Sequence, residues 1–162
     1  MSETIDVRIA TPEHLDQLMA LSAEACEENG FVTPNPAMVL EQIWAAVNRD
    51  RGLCGAIIGP TGQIEGAILL RITNLFYSDN PVLEEKGLFI HPEFRSAKGG
   101  RARKLCEFAK QTADALKIPL LIGVLSNSRT EAKIRLYKRQ FGEPAGVFFL
   151  YGAQTGISPA ME

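Results

Sequence analysis

The sequence predicts an α/β fold: a single domain, residues 1–162, with a mixed, largely antiparallel sheet flanked by helices on both faces. Two observations carry this. Strand-length apolar runs alternate with helical stripes in the order β-α-α-β-β-β-α-β-α-β. The chain has 162 residues, near the size of one domain. With 46% hydrophobic and 22% charged residues, it can build a core without disulfide or metal staples.

Ile5–Ala10 (IDVRIA) alternates as a short strand. Thr11-Pro12 supplies a cap and a proline at the first helical position, and Leu15, Leu18, Ser22 and Ala25 set the stripe of a helix stopped by Asn29-Gly30. Asn35-Pro36 repeats that start, and Leu40, Ile43 and Val47 give a second stripe. Leu53–Gly59 and Ile64–Asn74 flank the turn Pro60-Thr61-Gly62-Gln63, a hairpin. Glu84–His91 is a fourth strand closed by Pro92. A helix follows to about Lys117. Pro119–Leu125 is almost wholly apolar, as a strand covered on both faces would be. Ser128-Arg129-Thr130-Glu131 is a capping box, and Ile134, Tyr137 and Phe141 share one face of the helix it opens, which Gly142 ends. Gly146–Tyr151 (GVFFLY) is the last strand, and the small, polar tail 152–162 is expected to be flexible.

Several function classes are disfavoured. A net charge of −2 and a pI of about 5.8 argue against a nucleic-acid binder. Cys26, Cys54 and Cys106 are scattered, and His14 and His91 are the two histidines, so no metal site is expected. The cysteines sit in apolar settings and read as small buried hydrophobes. No run reaches the roughly 20 apolar residues of a membrane span, and no basic-then-apolar leader opens the chain. The expectation is a cytoplasmic protein without nucleic-acid or membrane partners.

One stretch breaks a local rule. Arg95 to Lys104 reads RSAKGGRARK and leads into a helix. A helix N-terminus carries partial positive charge, so Arg101, Arg103 and Lys104 should each cost about 0.3–1 kcal/mol there. No Ser, Thr, Asp or Asn caps the helix, and Gly99-Gly100 leave its N–H groups bare. An anion would resolve both features, since glycines allow close backbone approach. The alternative is a solvated basic face whose glycines serve only the turn. Neither a P-loop nor a dinucleotide fingerprint is present.

The segment Leu88-Phe89-Ile90-His91-Pro92-Glu93-Phe94-Arg95, with Gly100-Arg101-Ala102 and Leu105, resembles the acetyl-CoA motif of the GNAT N-acetyltransferase superfamily. Gln63-Ile64-Glu65-Gly66 resembles that family's lead into its third strand. Leu136-Tyr137-Lys138-Arg139-Gln140-Phe141-Gly142 is similar to its tyrosine motif, with Phe and Gly in swapped order. The likeness runs to about Tyr151. The basic loop is about two residues longer than the family pattern, and Thr130 stands where the family often has Asn, with Asn127 further back.

The resemblance implies acetyl-CoA as co-substrate, no metal, and direct attack by an amine on the thioester. It implies that backbone N–H groups from Lys98 through Gly99, Gly100, Arg101 and Ala102 to Arg103 take the pyrophosphate, with Arg95 nearby and Asn127 at the later junction. Pantetheine would pair along Leu88, Phe89 and Ile90, and the Leu88 N–H would polarise the thioester oxygen. Tyr137 would protonate the leaving thiolate; read without the family, it is a core tyrosine beside Ile134 and Phe141. Glu84, placed by strand alternation on the face of Lys86 and Leu88 with Glu85 opposite, is the candidate base, with His91 as a substitute. Otherwise the two glutamates are solvated carboxylates. The acceptor, a small-molecule or protein amine, would sit near residues 27–36, which include Phe31. The resemblance allows a homodimer but shows no interface. A second reading is a CoA-binding sensor or assembly module without catalysis; a third is an anion or nucleotide binder outside the family.

Overall fold

Strands β1 (Val7–Ile9), β2 (Gly52–Ile58), β3 (Ile64–Asn74), β4 (Pro81–Ile90) and β5 (Leu120–Leu121) form one sheet in that spatial order. They are seen in a computed structural model that describes residues 5–96, 100–126 and 129–153. The first three pairings are antiparallel and β5 runs parallel to β4. The β2–β3 hairpin closes where the turn chemistry placed it: the Gly59 N–H donates to the Gln63 carbonyl at 2.8 Å, and Gly62 takes the left-handed φ of 88° that the turn requires.

Helix α1 (Leu15–Asn29) follows a single 3-10 turn at Pro12–His14 and stops at Gly30, whose φ is 63°. Helix α2 (Pro36–Val47) starts on Asn35, whose Oδ1 accepts from the Ala37 N–H at 3.0 Å. Both pack on one sheet face, where Leu18, Leu21, Ile43 and Val47 meet Cys54, Ala56 and Ala67. On the other face, α3 (Gly100–Leu116) sets Leu105, Ala109 and Ala113 against Ile57, Ile68, Leu70 and Leu83. Leu105, Ile68 and Leu70 are fully buried, each worth about 1.5–3 kcal/mol of transfer free energy. Gly55 sets how close α3 comes, because a Cβ there would lie 2.5 Å from the Phe108 ring. Helix α4 (Thr130–Phe141) packs beside α3 through Leu136, Tyr137 and Cys106.

Two strand expectations are corrected. Pro119–Leu125 is covered on one face only. Leu120 and Leu121 alone pair with β4; beyond them Ile122 and Val124 pack toward α3 and α4, while Leu121 and Leu125 stay exposed. Gly146–Tyr151 joins no ladder among the described residues, and its side chains stand in solvent. An apolar pattern records a capacity for burial; pairing also needs an edge within reach. The capping role expected of Ser128 lies outside the described residues, as do the tail residues 154–162. Among the described residues no helix is long and apolar enough to cross a membrane.

Candidate active site

β4 and β5 pair at Leu83–Leu120 and Glu84–Leu121 and then part. The gap opens into a cleft of about 270 Å³ lined by Leu88, Phe89 and Ile90 of β4, by the start of α3, and by α4. The His91 N–H donates to the Glu65 carbonyl at 2.9 Å, which fixes the phase of the ladder. Phe89 therefore also faces β3, and Leu88 and Ile90 turn their N–H and C=O groups toward the cleft. Arg95 Nε already uses that edge, donating to the Ile90 carbonyl at 3.0 Å. Its other end forks onto Glu28 of α1, at 3.1 and 2.9 Å, and its guanidinium lies over the Phe89 ring.

A β-bulge reassigns the two glutamates. Leu70 pairs with Glu85 but Leu69 pairs with Gly87, so Lys86 is an extra residue in β4. The alternation expected across Glu84–Leu88 is thereby broken. Leu70 and Ile68 share a face, so their partners Glu85 and Leu88 do too, and Glu84 faces the other way. Glu84 forms a partly exposed ion pair with Lys86 at 3.2 Å. Glu85 stands where β4 and β5 separate, its Oε1 accepting from the Gly123 N–H at 3.3 Å. Desolvation pushes the Glu85 carboxyl up to about 7, against the opposing pull of the Gly123 N–H and of Lys133.

The basic loop is answered partly from within the chain. Arg101 Nε donates to Glu65 Oε1 at 2.8 Å, and a terminal guanidinium nitrogen reaches the Phe94 carbonyl at 3.3 Å. Glu65 is a buried carboxylate, with 5% exposure. A carboxylate on β3 thus does some of the neutralising that the sequence assigned to an anion. Arg103 and Lys104 are more exposed and share Glu107 one turn on, at 3.5 and 3.7 Å. Gly100 opens α3, and Arg101 and Ala102 line the cleft. Lys98, Gly99 and Asn127 lie outside the described residues. His91 ends β4 as a cap, its Nδ1 accepting from the Glu93 N–H at 3.2 Å.

Helix α4 supplies the opposite wall. Lys133 and Tyr137 lie four residues apart on one face of α4, and Arg129, the left-handed residue just before the helix, lines the cleft with them. Tyr137 is buried, packed edge-on against Phe141 and beside Cys106. Burial first, then the nearby Glu85 and Cys106, raises its phenol far above the ordinary value, so it holds its proton throughout the neutral range. Burial lowers the Lys133 amine, while Glu85 and Glu28 pull it back up. Burial also pushes the thiols of Cys54 and Cys106 up to about 12, leaving them inert at neutral pH. Counting Arg95, Arg101, Arg135 and Arg139, six basic side chains among the described residues line the cleft against one carboxylate, Glu28. Sequence reasoning missed Arg129 at the cap of α4 and Lys133, Arg135 and Arg139 within it. Their signal was the spacing of Arg129 and Lys133 ahead of the tyrosine.

No protein-family model matches the sequence, and neither does any curated protein. Solved structures do match. The aminoglycoside N-acetyltransferase AAC(6')-Iy, bound to a CoA bisubstrate analogue, superposes with a TM-score of 0.68 at 18% identity, over 92% of this chain and 97% of that one. The aminoglycoside 6'-N-acetyltransferase AAC(6')-Ih of Acinetobacter baumannii gives 0.66 at 13% identity, over 94% and 100%. A Trypanosoma brucei acetyltransferase gives 0.64 at 18% identity, over 91% and 97%. The fold of the chain is that of the GNAT acetyltransferases, as the motif resemblance implied.

Proposed function

We propose that the protein transfers an acetyl group from acetyl-CoA to a primary amine, by direct attack in a ternary complex. The observation that carries this reading is the parted β4–β5 edge. In an acetyltransferase fold, it offers the backbone groups of Leu88 and Ile90 to a strand-like ligand, between six cations and a protonated phenol. Coenzyme A is such a ligand, an extended amide chain with phosphates at one end. Its diphosphate goes to the start of α3, at Gly100, Arg101, Ala102 and Arg103 with Lys98 and Gly99 before them. Arg95 stands beside its path, Asn127 joins the set through the motif resemblance alone, and pantetheine runs along Leu88, Phe89 and Ile90.

The amine nitrogen attacks the thioester carbon, and the Leu88 N–H takes the developing oxyanion charge. As the C–S bond breaks, Tyr137 gives its proton to the sulfur and is reprotonated from solvent. The proton lost by the amine goes to a carboxylate. The role expected of Glu84 suits Glu85 better, because Glu85 shares the face of Leu88 and has its affinity for a proton raised to about 7. The acceptor is a small molecule or a protein amine. The aminoglycoside enzymes among the structural neighbours make aminoglycosides a sensible part of the first panel.

The test is thiol release from acetyl-CoA in the presence of primary amines, with product mass as a second readout. Amine-dependent release that collapses in Tyr137→Phe while acetyl-CoA binding survives is the expected result. Tight acetyl-CoA binding without release from any amine would favour the non-catalytic module, and absence of binding would overturn the reading altogether.

A further inference from the structure

We propose that Lys133 is a self-acetylation site: with acetyl-CoA in the cleft and no amine acceptor at hand, the Lys133 side chain of the same chain takes the acetyl group. The inference rests on the acetyl-CoA reading above and adds an acceptor that the chain carries within itself. Lys133 lines the cleft together with Leu88 and Tyr137. It stands one helical turn before Tyr137, with about 5–6 Å between Cβ atoms at that spacing. Helical side chains lean toward the helix N-terminus, so the Tyr137 phenol lies over the turn that carries Lys133. The charge of Glu85 is felt by both the amine and the phenol. Amine, phenol and carboxylate thus gather where β4 and β5 part.

Lys133 differs from the other lysines in lacking a partner. Lys86 pairs with Glu84, Lys104 with Glu107 and Lys138 with Glu143, and Lys110 donates to the Gln140 carbonyl. Half-buried Lys133 makes no side-chain hydrogen bond or ion pair among the described residues. A strongly hydrated ammonium gains nothing from such a place, whereas a neutral amine keeps its lone pair for attack. Burial favours that neutral form; Glu85 and Glu28 oppose it, and Arg129 and Arg95 add to it. In the transfer, the Nζ lone pair attacks the thioester carbon, and a C–N bond forms as the C–S bond breaks. The proton of the amine passes to Glu85, the Tyr137 proton goes to the sulfur, and solvent restores both groups. The products are acetyl-lysine at position 133 and free CoA. Because the amine is already in place, no second encounter is needed. Acetylation removes one cation from the cleft, so the site is a brake that engages when acceptor is scarce.

The experiment uses the full chain, with free CoA as the probe of binding and acetyl-CoA alone as the reagent. Intact mass should rise by one acetyl group. Peptide mapping should place it on Lys133, about 100-fold faster than on exposed Lys117. The rate per chain should be independent of protein concentration. Tyr137→Phe should slow modification of Lys133 at least tenfold and leave that of Lys117 unchanged, and Lys133→Arg should abolish the rapid mass gain. The acetylated chain should bind CoA several-fold more weakly. A chain that binds CoA but acetylates Lys133 no faster than Lys117 overturns the proposal and leaves the acetyltransferase reading standing. So does a rate that Tyr137→Phe leaves untouched, or one that grows with chain concentration and so reports transfer between copies. Unchanged CoA affinity after modification removes the brake. Absence of CoA binding overturns both readings together.

Discussion

Burial first, then the Glu85 carboxylate, raises the proton affinity of the Tyr137 phenol, while Glu85 is itself raised chiefly by desolvation. That arrangement suits a phenol that donates and a carboxylate that accepts. Tyr137→Phe keeps the ring contact with Phe141 and removes the proton, so kcat should fall by about 10²-fold or more with acetyl-CoA affinity little changed; stopped-flow and equilibrium titration separate the two. Glu85 also predicts how stability varies with pH. Its folded-state value of about 7 lies above the unfolded value of 4.5. The folded chain binds this proton more tightly, so the stability it contributes is fully present below pH 4.5 and is lost as pH rises through 7. Glu85→Gln should therefore have a higher Tm than the parent at pH 8, and the gap should close at pH 5. The same substitution should flatten the rise of kcat/KM that the parent shows through pH 7. An equal Tm difference at both pH values would remove Glu85 from this account.

Between elements, the Glu65–Arg101 pair ties β3 to the first turn of α3 and orients the loop before it. Breaking one side of a buried pair costs about 3–5 kcal/mol, because the remaining charge stays buried alone. Arg101→Ala should lose that much in urea unfolding, and Glu65→Gln/Arg101→Met together much less. If the single and double variants are equally stable, the pair has no structural role. Nothing in the order of residues reveals this bridge, since its partners are 36 positions apart. What was legible was local: Asn35-Pro36 starts α2, and Gly62 turns the hairpin, because caps and turns are written in adjacent residues. The bulge was half-legible. Gly87 inside a strand is a bulge signal, but which of Glu84 and Glu85 it turns toward the cleft depends on the register with β3. Gly146–Tyr151 shows the same limit at the sheet edge, for its pattern states what the segment needs and not where that is supplied.

At the scale of the whole molecule, a net charge of −2 conceals a divided surface. Six cations gather in the cleft between β4, α3 and α4, while Glu24, Glu27 and Glu28 crowd the end of α1 beside it. The overall balance argued against a broad polyanion-binding surface and left a concentrated one open. Field lines from a walled cleft extend to about a Debye length, near 10 Å at 0.1 M salt and 3 Å at 1 M. The coenzyme carries its negative charge on phosphates, so its capture should be strongly sensitive to salt while the acceptor step is less so. Acetyl-CoA affinity should drop steadily between 0.05 and about 1 M salt, mainly through a slower association rate. Arg135→Gln and Arg139→Gln should flatten that dependence, and a residue that bonds a phosphate directly should cost about 1.5–3 kcal/mol, tenfold or more in Kd. These two arginines are absent from the loop motif, so their effect discriminates. A salt-independent Kd, or one that shifts only on substitution within 95–104, would confine anion recognition to the loop and leave the α4 wall without a part in it.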